Sequence, residues 1–440
     1  MTLFAHGLGG AADLPIPLTY ALIGAAWALT FSFAVLAVAW REPRLDPDSP
    51  GIGVPEVVRS VVDAPVVRAG IAAMSVVAFG MVLAIGVFGP ADPARNPVPG
   101  VLYIFLWVGV AVASLVAGPV WKVLSPARAV YRGYCALTRR RPENGLLRYP
   151  EAWGRWPAAL GLFTFVWLEL AAPNPGSVTA VTLWLTGYLV VTVAGLVVFG
   201  TPWAERADPL EVYSSLLGRA SPIGRGAAGA LVLRTPLSNL AGTPVGAGSV
   251  AVAATLLGST AFDSFSLFPW WRALVSDGGF APTLVSTLGL LVFIGVVGVS
   301  FRFAAAATGG LSRADRRMLP RKLAYTLTPI IAGYVIAHYL SFLVEKGQAT
   351  MILFADPFGA GWNLFGLADR EVAYVLSAQP TVLGTLKVFA VVTGHILGVA
   401  AAHDRCLQLL PRAHRLTGQL ALMLLMVGFT FTGLYLLFDA

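Results

Sequence analysis

Charge is scarce in this chain. Asp, Glu, Lys and Arg make up 12% of its 440 residues and hydrophobic residues 57%, against about 25% and about 45–50% in a soluble domain. That excludes a single water-facing globule, because the surplus apolar surface must face lipid. Cysteine is nearly absent. Cys135 and Cys406 lie far apart, and both fall on the side assigned below to the cytoplasm. This argues against a disulfide framework or a thiolate metal site and for two inert thiols. Lysine is rare too, with only Lys122, Lys322, Lys346 and Lys387 among 30 basic residues; with abundant Ala, Gly and Pro, this points to a high-GC bacterial genome. Familiar enzyme signatures are missing: no H-E-x-x-H, no C-x-x-C, no Walker-type phosphate loop, no G-x-S-x-G elbow and no dinucleotide G-x-G-x-x-G opening a helix. His6-Gly7-Leu8-Gly9-Gly10 has the form of a lipase oxyanion loop, but the strand and nucleophile elbow that loop requires are not there. Its glycines are read instead as sites of left-handed turns and close backbone approach. The net charge of +8 does not indicate nucleic acid, since the basic residues are dispersed between apolar runs.

What the chain has is long apolar stretches. A span needs about 20 mostly apolar residues to cross about 30 Å of hydrocarbon. Ten stretches approach that test: Leu18–Trp40, Gly70–Phe88, Val101–Trp121, Trp156–Ala172, Val178–Phe199, Gly248–Leu267, Pro282–Phe303, Leu323–Val344, Thr381–Ala402 and Leu416–Phe438. The Gly/Pro-rich approach to the sixth, residues 240–250, reads as a half-buried loop or a broken helix. The expected fold is therefore an all-α polytopic bundle of about ten helices forming one integral membrane domain over residues 1–440. Basic residues favour the cytoplasmic side, and with Met1 outside, 25 of the 30 fall in inner loops. Both termini are then outside, in a bacterial inner membrane. Residues 1–17 form an outer segment, 122–155 a basic cytoplasmic loop and 345–380 an outer loop. The first apolar run is too long for a signal-peptide core and lacks a basic n-region, so it is expected to remain as an anchor. Arg128, Arg132, Arg139, Arg140 and Arg141 suit either a helix resting on anionic headgroups or a solvated loop. Trp40, Trp121, Trp156, Trp270 and Trp271 read as interfacial anchors, and residues 356–366 (DPFGAGWNLFG) as a re-entrant or surface-lying segment.

Ionisable residues inside spans are costly and usually face a cavity or one another. At 1.5 Å per residue, Glu169 lies about 5 Å and Asp263 about 6 Å from the outer ends of their spans, with His338 and Lys387 each about 9 Å deep. His395 lies about 20 Å down its span, and the G-x-x-x-G of Gly394 and Gly398 beside it favours a packed seam over a site. His6 and Asp13, in HGLGGAADLPIP, lie over the outer surface. His6, Asp263 and His338 are a candidate ligand set for a divalent metal such as Zn²⁺, which lowers the pKa of a bound water to about 7 and supplies hydroxide. Glu169 is placed as general base, and Lys387 pairs with Glu169 or Asp263 or orients an anionic substrate. Against this stand plainer roles: a Glu reaching the interface, a snorkelling Lys, and core histidines bonded to carbonyls.

HGLGGAADLPIP, LLGSTAFDSFS at 256–266 and PWW at 269–271 resemble stretches of a bacterial membrane-protein family labelled fenitrothion hydrolase. The resemblance implies a membrane-bound organophosphate hydrolase that cuts a phosphotriester by water attack, and puts His6 and Asp263 forward as site residues. Two other readings stay open. One is a secondary transporter or metal permease using the same buried His, Lys and carboxylates; the other is an assembly or scaffold subunit docking through its basic loops to lipid or a partner. The lipid bilayer is the one partner common to all three.

Overall fold

The computed structural model describes residues 13–226, 229–277 and 281–438. The helices that matter are, in chain order, α1 (Leu18–Ala39), α2 (Pro65–Phe88), α3 (Val98–Ala117), α4 (Pro126–Thr138), α5 (Trp156–Leu170), α6 (Val178–Phe199), α7 (Pro209–Gly218), α8 (Ser249–Phe265), α9 (Pro269–Asp277), α10 (Pro282–Ala306), α11 (Thr328–Ser341), α12 (Pro380–Leu409) and α13 (Leu420–Phe438). Every one of the ten apolar stretches read from the sequence falls on a helix. Among the described residues eight helical runs are long and apolar enough to cross a membrane, or nine if the pair α8 and α9, bent by 89°, counts as one. The fifteen residues of α5 are apolar but short of a full span. The apolar windows of α2 and α10 are only 17% buried; Phe303, for instance, is 72% exposed. Large apolar faces of this kind need a non-aqueous neighbour.

The sequence places the helix ends. Proline at the first turn costs no hydrogen bond, and it opens α2, α4, α7, α10 and α12. Ser125, Ser177 and Asp208 cap α4, α6 and α7 by accepting backbone N–H groups. α6 stops at Gly200, whose φ of 71° suits a residue without Cβ.

The described chain divides into two compact units. In unit 1 (residues 50–234 and 342–374), α7 packs against the last turns of α3 and against α5, with Gly161 giving room for Pro209. α7 lies between two of the apolar stretches and outside both, yet it is buried along nearly its whole length. α3 carries a π-helical stretch, Val101–Gly109, which widens the turn and holds Tyr103 and Trp107 inward. Unit 1 also holds a three-stranded antiparallel sheet of β1 (Ile52–Gly53), β2 (Ile223–Arg225) and β3 (Leu231–Leu233), in the order β1-β3-β2, with Ile52 and Ile223 both opposite Leu233. The fold is therefore nearly, not wholly, α-helical. Most of residues 356–370 is exposed. Asp356 holds this segment by accepting from the backbone N–H groups of Ala360 and Gly361.

Unit 2 (described residues 13–49, 235–277, 281–341 and 375–438) is built on α11 and α12, its most extensively packed pair. A Cβ on Gly394 would sit 2.5 Å from the Pro329 carbonyl oxygen, and one on Gly333 2.5 Å from that of Ala390. The seam expected of Gly394 and Gly398 is thus present, with Gly398 facing Thr326 and Ile330. α1 and α13 pack on α12, α8 packs on α10, and Ala337, Val391, Leu434 and Phe438 form a buried cluster.

Candidate functional site

Two of the residues singled out by sequence meet. α8 is rich in small residues, and Gly258 lets it pack closely against the backbone of Ile294 on α10, which fixes Asp263 near its C-terminal end. α11 presents His338 and Tyr339. His338 Nε2 lies 2.8 Å from Asp263 Oδ2, and the Tyr339 hydroxyl donates to the same oxygen at 3.4 Å. The two rings stand edge to face at 4.6 Å. Asp263 is 5% exposed and His338 1%, so the pair sits in apolar surroundings where an unshared charge is expensive. Aromatic residues hold the region beside it. Phe262 meets Trp271, and Phe265 meets both Trp270 and Trp271 at 5.2 and 5.1 Å. Two of the three stretches on which the resemblance was read, 256–266 and 269–271, therefore touch. The expected anchor role fits Trp270, which is exposed, better than Trp271, which is half-buried.

The other expected site residues lie as follows. Lys387 is buried on α12, and the opposite charge that acts on it is Asp13. Gly384, one turn before it, lets the Asp13 backbone pass close by, 3.1 Å from where a Cβ would be. Glu169 belongs to unit 1, half-buried on α5, where its charge acts on Tyr103 and Tyr213. His6 lies outside the described residues. Of the ligand set His6, Asp263 and His338, two members are therefore seen together, and no group of three or more His, Cys, Asp or Glu side chains with metal-holding geometry exists among the described residues. His395 donates from Nδ1 to the Val391 carbonyl at 2.9 Å, the core arrangement its seam position favours. Both cysteines are free and buried, in keeping with inert thiols.

Sequence reasoning missed a second polar centre, in unit 1. Arg128 was placed among headgroup-facing arginines, but it is buried and grips Glu211 of α7 with two guanidinium nitrogens, Nη2 at 2.6 Å from Oε1. The helix expected around it does form, as α4, with Arg132 and Arg139 to Arg141 exposed. Asp208 caps α7 and accepts from the Tyr188 hydroxyl at 3.1 Å. That hydroxyl accepts in turn from Trp121 Nε1 at 3.1 Å, while the Trp121 backbone N–H donates to Ser214, itself 2.8 Å from Ser114. Burial, then the nearby charge of Glu211, pushes the Asp208 carboxyl up to about 7. One signal in the sequence pointed here: Asp208-Pro209 opens a helix whose third residue is a carboxylate.

A third cluster lies in unit 2, where the C-terminal half of α12 meets the end of α1. Asp404 accepts from Trp40 Nε1 and from the backbone N–H groups of Arg44 and Leu45, at 3.0, 2.6 and 3.2 Å. His403 Nδ1 faces Gln419 Oε1 at 3.0 Å and its Nε2 faces the Trp40 carbonyl at 2.8 Å.

No family model, curated protein or solved structure matches this chain.

Proposed function

We propose that this chain is a multi-pass carrier of a bacterial inner membrane in which Asp263 and His338 form a proton-exchanging centre that drives movement of a small solute or ion. One observation carries this reading: a carboxylate and an imidazole, both buried, share a 2.8 Å contact between two apolar helices. Such a pair can share one proton between the two groups, and a charged ligand nearby alters which group holds it. Buried acid and base groups within spans are the usual materials of a proton relay. The bend of 89° between α8 and α9 gives Asp263 a broken-helix setting of the kind carriers use at binding sites. In this reading α5 and the α8 and α9 pair complete ten spans, and the basic loops lie inside with both ends outside. A C-terminal reporter that is active only in the cytoplasm then stays silent; a bright one refutes the orientation.

A second reading is favoured by the carboxylate that orients His338. An imidazole held this way is a competent general base, and in the hydrolase that the resemblance implies it would activate water against a phosphotriester. In the metal form of this reading His6, Asp263 and His338 would instead share a divalent ion whose bound water attacks, and Lys387 would face the anionic product.

The test is reconstitution into proteoliposomes containing a pH-sensitive dye, presented in turn with inorganic cations and small organic acids. We expect proton movement in wild type and its loss in Asp263→Asn and His338→Gln. Infrared pH-difference spectra should show a carboxyl signal that Asp263→Asn removes. Proton movement undiminished in both variants overturns the carrier. Release of a coloured phenol from an aryl phosphotriester by wild type but not by His338→Gln, without proton movement, puts the hydrolase in its place.

A further inference from the structure

α12 carries buried protonatable side chains at a regular interval. Lys387, His395 and His403 are spaced eight residues apart, about 12 Å of helix rise per step, and each is at most 1% exposed. Together they cover about 24 Å of a hydrocarbon layer about 30 Å thick.

The two histidines have complementary hydrogen-bonding needs. His395 uses Nδ1–H on the Val391 carbonyl, so its Nε2 is a bare acceptor. That nitrogen has no hydrogen-bond partner among the described residues although it is completely buried. The Tyr334 ring lies edge to face at 5.7 Å, but its hydroxyl is spent on the Phe429 carbonyl at 3.1 Å. The helices packed on α12 here, α1, α11 and α13, contain no Asp, Glu, Lys or Arg. A buried polar atom of this kind needs a donor, and water is the only class small enough to reach a packed seam.

His403 has the opposite geometry, for both its nitrogens face oxygen. The Trp40 carbonyl can only accept, and Gln419 turns Oε1 toward the ring because its amide nitrogen donates to the Arg415 carbonyl. Both contacts are satisfied together only when both ring nitrogens carry hydrogen. The charged groups around it are Asp404 and Arg405 on α12, Arg41 and Arg44 beyond α1, and Arg415, with the Tyr325 phenol near Asp404 and Arg405.

We infer that α12 is the proton path of unit 2, with His395 as its mid-membrane station and His403 as a doubly protonated station at the inner end. This rests on the reading of Asp263 and His338 as a proton-exchanging pair. In each step a hydronium gives up a proton to His395 Nε2, its O–H bond breaking as the N–H bond forms and leaving neutral water, and the imidazolium keeps Nδ1–H on Val391. The same Nε2–H bond then breaks and returns the proton to water on the inner side, leaving His395 neutral as before.

The experiment combines flux with nitrogen NMR on the full chain in liposomes, labelled at histidine. We expect His395→Gln and His403→Gln each to lower proton flux about a hundredfold while the carboxyl infrared signal of Asp263 persists. His403 should show two protonated nitrogens at neutral pH, and His395 one. Because loss of a buried ring can unfold the seam, dye access to Cys406, buried on the same helix, checks that each variant is folded. Unchanged flux in folded His395→Gln, with Asp263→Asn still inactive, overturns the path and leaves the Asp263 and His338 reading standing. A singly protonated His403 at neutral pH overturns its assignment. Absence of flux in wild type removes both readings.

Discussion

Replacing Arg128 with alanine isolates the largest electrostatic commitment in unit 1. Arg128 is 6% exposed and Glu211 is fully buried, and the guanidinium meets both carboxylate oxygens. In Arg128→Ala the Glu211 carboxylate stays buried without its hydrogen-bonded cation, and the nearby Asp208 carboxyl does not replace it. Removing one partner of such a pair costs about 3–5 kcal/mol, whereas replacing both with apolar side chains of similar volume is about neutral or stabilising. The expected order of stability is therefore Arg128→Met/Glu211→Met near wild type, with Arg128→Ala and Glu211→Ala each several kcal/mol below. Thermal unfolding in detergent, followed by a thiol-reactive dye, reads this directly: Cys135 is buried on α4 beside Tyr131 and Leu196 and becomes reactive only when that packing opens. Single and double variants equally destabilised would mean that the side chains matter for shape and not for charge. A single variant within about 1 kcal/mol of wild type, the range of an exposed pair, would mean that water reaches Glu211.

Asp208 predicts a pH dependence. Its carboxyl lies above its ordinary value, at about 7 in the fold against about 3.9 in the unfolded chain, so the folded state holds the extra proton between those values. The contribution to stability is full below about pH 4, falls as pH rises and is lost above about pH 7, amounting to about 4 kcal/mol in all. Unfolding midpoints between pH 5 and 8.5 should fall in wild type and stay flatter in Asp208→Asn, whose amide oxygen still caps α7. Parallel curves would count against a buried titrating Asp208.

Much of the architecture was legible because lipid imposes a simple rule. Runs such as Val178–Phe199 and Pro282–Phe303 coincide with helices to within a few residues, since an apolar helix is the only cheap way to bury a backbone in hydrocarbon. The seam at Gly394 and Gly398 was legible for a related reason, since small residues four apart mark close helix contact. α7 was not. Its ten residues include Pro209, Glu211 and two serines, a composition that resembles a loop, and only the partner residues Arg128, Tyr188 and Ser114 from other helices make its burial affordable. The Asp263 and His338 pair was half-legible: depth along each span put both in the same leaflet half, while contact depended on how α8 and α11 turn about their axes. Lys387 shows the limit of depth alone. It was weighed against Glu169 and Asp263, and the charge found acting on it is Asp13, from a segment before the first span. The Gly/Pro composition of 240–250 marks a part-buried loop leading into α8, whereas the bend after Phe265 had no such signal.

The close approach of Gly333 to Gly394 has a mechanical consequence. With no side chain between the backbones, sliding or rotating α11 against α12 would drive carbonyl oxygens into Cα atoms within an ångström or so, so the two helices behave as one stiff beam. His338 rides on one half of that beam and His395 on the other. Asp263 belongs to a different strut, α8, which is backed by α10. If the molecule changes shape as it works, the distance from His338 to His395 should stay constant while that from His338 to Asp263 opens and closes, and the hinge should be sought at the two ends of α8.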